Sequence, residues 1–244
     1  MKPVQSLPPC RIRFPDPRVT SRDGLLAVGG DLEPATLVEA YRRGIFPWPL
    51  DEAEGVRSFG EQVAFEERLL WFSPLKRSVL VFDELHIPRS LERARKKSGF
   101  RWTEDQDFAA VIRACAAAPR PGQQGTWITP EMLEAYIRLH ALGYAHSIEV
   151  WNAAGDLVGG IYGVEVEGAF AGESMFHRES NASKVALLTL AECLQARGIS
   201  WMDIQMMTPH LKALGAREIR RDLYLEWLQD SHARWARRQG DLKA

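Results

Sequence analysis

Ala145-His146-Ser147-Ile148-Glu149-Val150-Trp151, Leu157-Val158-Gly159-Gly160-Ile161-Tyr162-Gly163-Val164-Glu165 and Ala169-Phe170-Ala171-Gly172-Glu173-Ser174-Met175-Phe176 are three strand-like runs, separated by Ala154-Gly155-Asp156 and by Glu167-Gly168. Short Gly-bearing links between β-rich runs close hairpins, so the three form an antiparallel meander. A helical pattern from about Ala182 to Arg197, stopped by Gly198, carries the chain to a further run, Trp201-Met202-Asp203-Ile204-Gln205-Met206. A short helix from Pro209 to Leu214 ends at Gly215. Meander, crossover helix, strand and helix in that order predict an α+β sheet with helices packed on it.

This element order matches the N-acetyltransferase-like fold. Upstream, Ser78 to Phe82 reads as a short apolar strand, and helices are expected from Pro88 through the basic stretch, from about Asp105 to Ala117, and from Pro130 to about Leu142. These extend the mostly antiparallel domain over residues 77–244. Residues 1–76 form a smaller N-terminal domain: a helix from Pro34 to about Arg43 is stopped by Gly44, and Ile45-Phe46-Pro47-Trp48-Pro49 follows as a stiff aromatic loop. The stretch from Asp51 to Arg68 is charged and irregular and is expected to be an exposed insertion.

Composition narrows the functional classes. The 244 residues, 45% of them hydrophobic, can bury a large core. No apolar run approaches the ~18 residues of a membrane span, and Pro3, Pro8 and Pro9 interrupt any secretory signal, so the cytoplasm and no membrane partner are expected. Cys10, Cys115 and Cys193 stand singly, and the six histidines show no ligand spacing, which argues against a disulfide framework or a metal site. A net charge of -1 argues against a protein that coats nucleic acid generally.

The local charge distribution differs. On a helix beginning near Pro88, Arg89, Arg93, Lys96 and Lys97 fall on one face. Such a stripe is either a solvated surface or a site for regularly spaced anions, of which a phosphate backbone is the best example. Trp48, fixed between two prolines, and Trp127, in Gly125-Thr126-Trp127-Ile128-Thr129, are each a stacking platform for a base or a hydrophobic plug. If 201–206 is a strand throughout, Asp203 and Gln205 share a face roughly 6–7 Å apart. The pair is then either a satisfied core couple or a catalytic one.

Long ordered blocks of the chain resemble the leucyl/phenylalanyl-tRNA-protein transferase family. They are Gly24-Leu25-Leu26-Ala27-Val28-Gly29-Gly30-Asp31-Leu32, Ala40-Tyr41-Arg42-Arg43-Gly44-Ile45-Phe46-Pro47-Trp48, Gly125-Thr126-Trp127-Ile128-Thr129, Ala145 to Trp151, Gly172-Glu173-Ser174-Met175-Phe176 and Asn181-Ala182-Ser183-Lys184. The resemblance implies an enzyme that takes leucine or phenylalanine from leucyl-tRNA or phenylalanyl-tRNA. The amino acid passes to the amino terminus of proteins beginning with Arg or Lys, marking them for degradation by the N-degron pathway. It implies Asp203 and Gln205 as catalytic residues, with the Gln205 carbonyl accepting a hydrogen bond from the attacking amine while Asp203 polarises the amide. By the same resemblance Ile161, Phe170, Met175, Leu190 and Ile204 wall the donor side-chain pocket, Trp48 and Trp127 surround the terminal adenosine, and Arg89, Arg93, Lys96 and Lys97 contact the tRNA body. Glu173, in the last meander strand, is either a receiver for the cationic acceptor residue or a group bonded to neighbouring backbone.

The chemistry is self-consistent. An aminoacyl ester is already activated, so aminolysis needs positioning, proton removal and oxyanion stabilisation rather than a cofactor, metal or ATP. Gly172 to Phe176 lacks the second glycine of a nucleophile elbow, which excludes a serine hydrolase of that type. An acyl-CoA acetyltransferase usually has a Gly-rich loop before the crossover helix, where this chain has His177-Arg178-Glu179-Ser180-Asn181-Ala182-Ser183-Lys184. A peptidoglycan-type aminoacyl-tRNA transferase is normally longer, and a non-enzymatic tRNA-binding module would not need Asp203 and Gln205. The expected state is a monomer.

Overall fold

Pro34 at the first turn and Gly44 just past the end delimit α1 (Pro34–Arg42), as proline's fixed φ and glycine's freedom at positive φ favour. The computed structural model describes residues 3–50, 68–119 and 127–241, and α1 lies there beside a three-stranded antiparallel sheet of β1 (Leu25–Val28), β2 (Phe46–Pro49) and β3 (Leu69–Phe72) in the order β1-β3-β2. The aromatic Pro47-Trp48-Pro49 stretch is therefore a strand rather than a loop. It occupies an edge, where prolines lacking an N–H remove no ladder bond from a second neighbour. Of the insertion expected from Asp51 to Arg68, residues 51–67 lie outside the described residues, as do the loop after Pro119 and Gly125-Thr126, while Arg68 is buried rather than exposed.

The larger sheet begins with β4 (Lys76–Val81). The basic helix α2 (Arg89–Lys97) follows, then β5 (Arg101–Glu104), α3 (Phe108–Ala117) and α4 (Pro130–Ala141). The meander appears as β6 (Ala145–Trp151), β7 (Leu157–Val166) and β8 (Ala169–His177), and the crossover helix as α5 (Ala182–Ala196). After β9 (Trp201–Asp203) come α6 (Pro209–Ala213), β10 (Arg217–Arg220) and α7 (Arg221–Asp241). The seven strands run in the order β10-β4-β9-β8-β7-β6-β5, and every neighbouring pair is antiparallel except β8 with β9. This is the expected α+β, acetyltransferase-like architecture with a small N-terminal domain.

Alternation along the strands sends side chains to two cores. Ile148, Val150, Ile161, Phe170 and Met202 pack beneath α5, whereas Tyr162, Val164 and Ala171 meet α3, α4 and the N-terminal elements on the other face. That second core includes Leu37 and Tyr41 of α1 and Trp71 of β3, so the small sheet is seated directly on the large one.

The expected strand over 201–206 is corrected to three residues. β9 ends at Asp203, and Gln205 takes a left-handed backbone with φ 51°, a conformation costing a non-glycine residue of order 1 kcal/mol. β8 and β9 are registered only at Phe170↔Met202 and Ala171↔Asp203. Beyond that point β8 runs on through His177 while the other chain turns away, and the two part.

Candidate active site

The parting of β8 and β9 opens a cavity of about 330 Å3. Gly172, Glu173, Ser174 and Met175 of β8 face Ile204, Gln205 and Met206 across it, Leu187 of α5 and Leu211 of α6 close the apolar end, and Phe46, Trp48 and Trp127 form the rim.

The turn carrying Gln205 is held from behind by a buried ion pair. Arg77 donates from Nε to Asp203 Oδ1 at 2.7 Å and from Nη2 to Oδ2 at 2.6 Å, with the two side chains only 1% and 4% exposed. Tyr224 Oη donates to the same carboxylate at 3.0 Å, and the Gln205 backbone N–H donates to Oδ1 at 2.9 Å. Arg77 also donates to the Gly44 carbonyl at 3.2 Å, and its guanidinium lies 4.6 Å from the ring centroids of both Phe46 and Tyr224. Burial works against the Arg77 charge, but Asp203, together with Tyr224 and Glu173, more than offsets it and holds the guanidinium above its ordinary range. A residue larger than glycine at 44 would press on Tyr224, since a Cβ there would meet Tyr224 Cε1 at 2.7 Å. The network thus ties the end of α1, the aromatic rim strand and the Gln205 turn to one another.

Asp203 and Gln205 are adjacent but not in the expected way. The carboxylate reaches the Gln205 backbone N–H, whereas the side-chain amide points to β8 and donates from Nε2 to Glu173 Oε1 at 3.0 Å. Asp203 does not line the cavity, and Gln205 and Glu173 do. The cause is the left-handed turn at Gln205, which takes the two side chains off a common strand face.

Glu173 is half-buried and accepts a hydrogen bond from Tyr136 Oη at 3.3 Å; Tyr136 is in turn hydrogen-bonded to Tyr41. Removal from water raises its carboxyl to about 8, assisted by the Asp203 charge and opposed by Tyr41, Tyr136 and Arg77. At neutral pH this favours the protonated carboxyl. Burial and then the Glu173 charge push both tyrosine hydroxyls well above their ordinary range, keeping them as neutral donors.

Trp48 and Trp127 stack on each other, with centroids 5.5 Å apart and planes inclined by 20°. Inserting a base between them would require a separation of roughly 7 Å, twice a ~3.5 Å contact. A base must therefore part the pair or stack on an outer face. Trp127 is positioned by the start of α4: Thr129 N–H donates to the Trp127 carbonyl at 3.0 Å, while Thr129 Oγ1 caps the helix by accepting from Met132 N.

Of the donor-pocket residues named from sequence, Ile161, Met175 and Ile204 line the cavity. Phe170 and Leu190 do not; each is 1% exposed in the core under α5. Phe170 sits where β8 and β9 are still paired, below the split, and Leu190 lies one helical turn beyond Leu187. Leu187, Met202 and Leu211 supply apolar wall in addition. Spacing of i, i+3, i+7 from Leu187 through Leu190 to Leu194 marks a core-facing stripe, but which end of it meets a cavity is decided by tertiary packing. Arg77 and Tyr136 lie outside every block quoted from the sequence, and Tyr41 lies within one without a role assigned to it; only Arg77, a charge at the start of an apolar strand, hints that a buried acid awaits it.

Arg89, Arg93, Lys96 and Lys97 are all exposed along α2, where none of them forms an ion pair among the described residues. Arg95 faces the opposite way and grips Glu192 of α5 with two 2.6 Å hydrogen bonds, fixing the helix to the body.

Two family models match the chain: leucyl/phenylalanyl-tRNA protein transferase over residues 79–229, and the N-terminal domain of the same transferase over residues 30–56. Curated relatives bearing the name leucyl/phenylalanyl-tRNA--protein transferase include one from Maridesulfovibrio salexigens, 46% identical over 220 residues that span 89% of this chain and 85% of the relative. Another, from Syntrophus aciditrophicus, is 50% identical over 220 residues, 90% of this chain and 86% of the relative. A third, from Anaeromyxobacter dehalogenans, is 50% identical over 213 residues, 87% and 84% of the two chains. With matches of this extent over both the small sheet and the cavity-bearing sheet, the chain belongs to the leucyl/phenylalanyl-tRNA-protein transferase family and is an aminoacyltransferase.

Proposed function

We propose that the chain moves leucine, and also phenylalanine, from its tRNA to the α-amine of proteins that begin with Arg or Lys, marking them for degradation by the N-degron pathway. The observation that carries this reading is the cavity between β8 and β9, where an apolar wall, the Gln205–Glu173 hydrogen bond and two stacked tryptophans meet. The donor side chain occupies the wall of Ile161, Met175, Leu187 and Ile204, and the terminal adenosine stacks on Trp48 and Trp127. The exposed stripe of Arg89, Arg93, Lys96 and Lys97 receives phosphates of the tRNA body.

In the reaction the acceptor nitrogen attacks the ester carbonyl carbon, a tetrahedral intermediate forms, and the ribose oxygen leaves with the electron pair of the broken C–O bond. One amine proton must be lost and the ribose oxygen must gain one. Because the Gln205 amide N–H group is engaged by Glu173, its Oε1 is the atom offered to the amine, and it accepts a hydrogen bond from the nitrogen as the new bond forms. Asp203 acts as a positioning residue through the Gln205 backbone. Glu173 ionises when a cationic acceptor side chain arrives, since an adjacent Arg or Lys favours the carboxylate. The protein is read as a monomer working in the cytoplasm; among the described residues no helix is long and apolar enough to cross a membrane.

The test is incubation with leucyl-tRNA and a panel of short peptides beginning with Arg, Lys, Asp or Ala, read by mass spectrometry. Arg and Lys peptides are expected to gain one leucyl residue and the other two none. Transfer confined to the Asp peptide, or absent from all four, would replace this reading.

A further inference from the structure

The Asn181-Ala182-Ser183-Lys184 block takes no part in the cavity, yet it lines a second concavity of about 140 Å3 beside it. This groove lies where α2, α5 and α6 converge, with Pro88 and Ser90 on one side, Asn181 and Lys184 on the second, and His210 and Leu214 on the third. Its volume is several times the ~30 Å3 share of one water molecule, enough for a small polar group.

Three features make the groove a site for an anion. Its lining holds two basic side chains and no carboxylate. Lys184 forms no ion pair or hydrogen bond among the described residues, and Glu192, the one acid of α5, is held by Arg95. His210 Nε2 is buried without a hydrogen-bond partner, a donor position left unfilled by protein. Burial, then the charges of Lys184 and His177, lowers the His210 imidazole below its ordinary range, so the ring is neutral at pH 7 and can present one N–H.

The location says which anion. Lys184 precedes by one helical turn Leu187, which lines the main cavity, and His210 is followed directly by Leu211, which lines it too. On its other side the groove borders the first turn of α2, where the exposed stripe begins at Arg89. It therefore lies between the basic helix and the wall of the cavity that takes the aminoacyl group. Resting on the tRNA-donor reading given above, we propose that Lys184 and His210 hold the backbone phosphate immediately 5′ to the terminal esterified nucleoside. The ammonium supplies charge and the imidazole a directed hydrogen bond. Two anchors, phosphate and adenine, then fix the ester against Gln205 in a way that adenine stacking alone would not.

The experiment compares three leucyl donors with an Arg-starting peptide as acceptor: leucyl-tRNA, the leucyl ester of cytidylyl-adenosine, which carries one phosphodiester, and the leucyl ester of adenosine, which carries none. For Lys184→Gln, KM is expected to rise about tenfold for the first two donors. The adenosine ester should keep its wild-type kcat/KM, which also shows that the variant is folded. His210→Gln should act in the same direction, and Lys184→Arg should retain most of the binding. An equal loss with all three donors would make the lysine structural, and no loss with any would show that the groove does not touch the donor. A loss with leucyl-tRNA alone would move the contact to a more distant phosphate; each of these results overturns the proposal. Failure of the wild-type protein to use any donor would instead remove the tRNA-donor reading beneath it.

Discussion

Arg77→Met is expected to lower unfolding stability by about 3–5 kcal/mol, because it leaves the Asp203 carboxylate buried without its counter-charge. Asp203 is 3% exposed, and its remaining donors are the Tyr224 hydroxyl and the Gln205 backbone N–H, neither of which is charged. Denaturant titration of the variant measures the loss directly. Transfer activity should fall as well, since the same guanidinium links the Gly44 carbonyl and the Phe46 ring of the rim to the turn that carries Gln205. The double variant Arg77→Met, Asp203→Leu separates the two effects. Replacing both members of a buried pair with apolar groups commonly restores stability, yet here it also removes the acceptor that fixes the Gln205 backbone. The double variant should therefore fold better than Arg77→Met while its transfer activity stays low. Recovery of transfer in the double variant would show that the pair is dispensable for positioning.

Glu173 makes stability depend on pH in a direction opposite to that of a salt-bridged acid. Its carboxyl is raised from 4.5 to about 8, with burial as the main cause. Below the unfolded value both states carry the proton. Between the two values the folded protein retains a proton that the unfolded chain has released, so stability falls as pH rises, by up to ~1.4 kcal/mol per pH unit. Above the folded value the loss is complete. Thermal denaturation from pH 5 to pH 8 should show a Tm decline in the wild type that is much reduced in Glu173→Gln, where the amide cannot titrate. Parallel profiles would mean that the carboxylate is ionised throughout. The same property suits the proposed acceptor site: a neutral acid costs little to keep in an empty apolar cavity and becomes an anion when an Arg or Lys side chain enters.

The elements most legible in the sequence were those whose signal is local. The meander follows from alternating runs and two Gly-bearing links, and α5 from a periodic stretch stopped by Gly198, so the bulk of the large sheet could be read directly. β5 and β10 escaped because both are four-residue edge strands with charged residues, Arg101 to Glu104 and Arg217 to Arg220, where the usual apolar alternation gives way to charges that protect an edge. The run from Trp201 to Met206 alternates well enough for a longer strand, but Asp203 captures the Gln205 backbone N–H and the chain turns. That local side-chain capture, which periodicity does not register, decides the geometry of the site.

The candidate site was legible as a set of residue types rather than as an arrangement. Glu173, Gln205, Ile161, Met175, Ile204, Trp48 and Trp127 do converge on one cavity. Phe170 and Leu190 fell behind its wall because helix and strand periodicity identify a buried face without saying which part of that face borders empty space. The partners of Arg77 and Tyr136 were not legible, since each contact joins residues far apart in the chain, Arg77 to Asp203 and Tyr136 to Glu173; the isolated charge at Arg77 hinted only that some buried acid meets it.

The most direct measurement is single-turnover transfer from leucyl-tRNA to an Arg-starting peptide by Gln205→Ala, with leucyl-tRNA affinity determined on the same protein. If the turn after β9 is where the amine meets the ester, the transfer rate falls at least tenfold while donor affinity stays near that of the wild type. An unchanged rate at unchanged affinity would place the reacting atoms somewhere other than the cavity between β8 and β9.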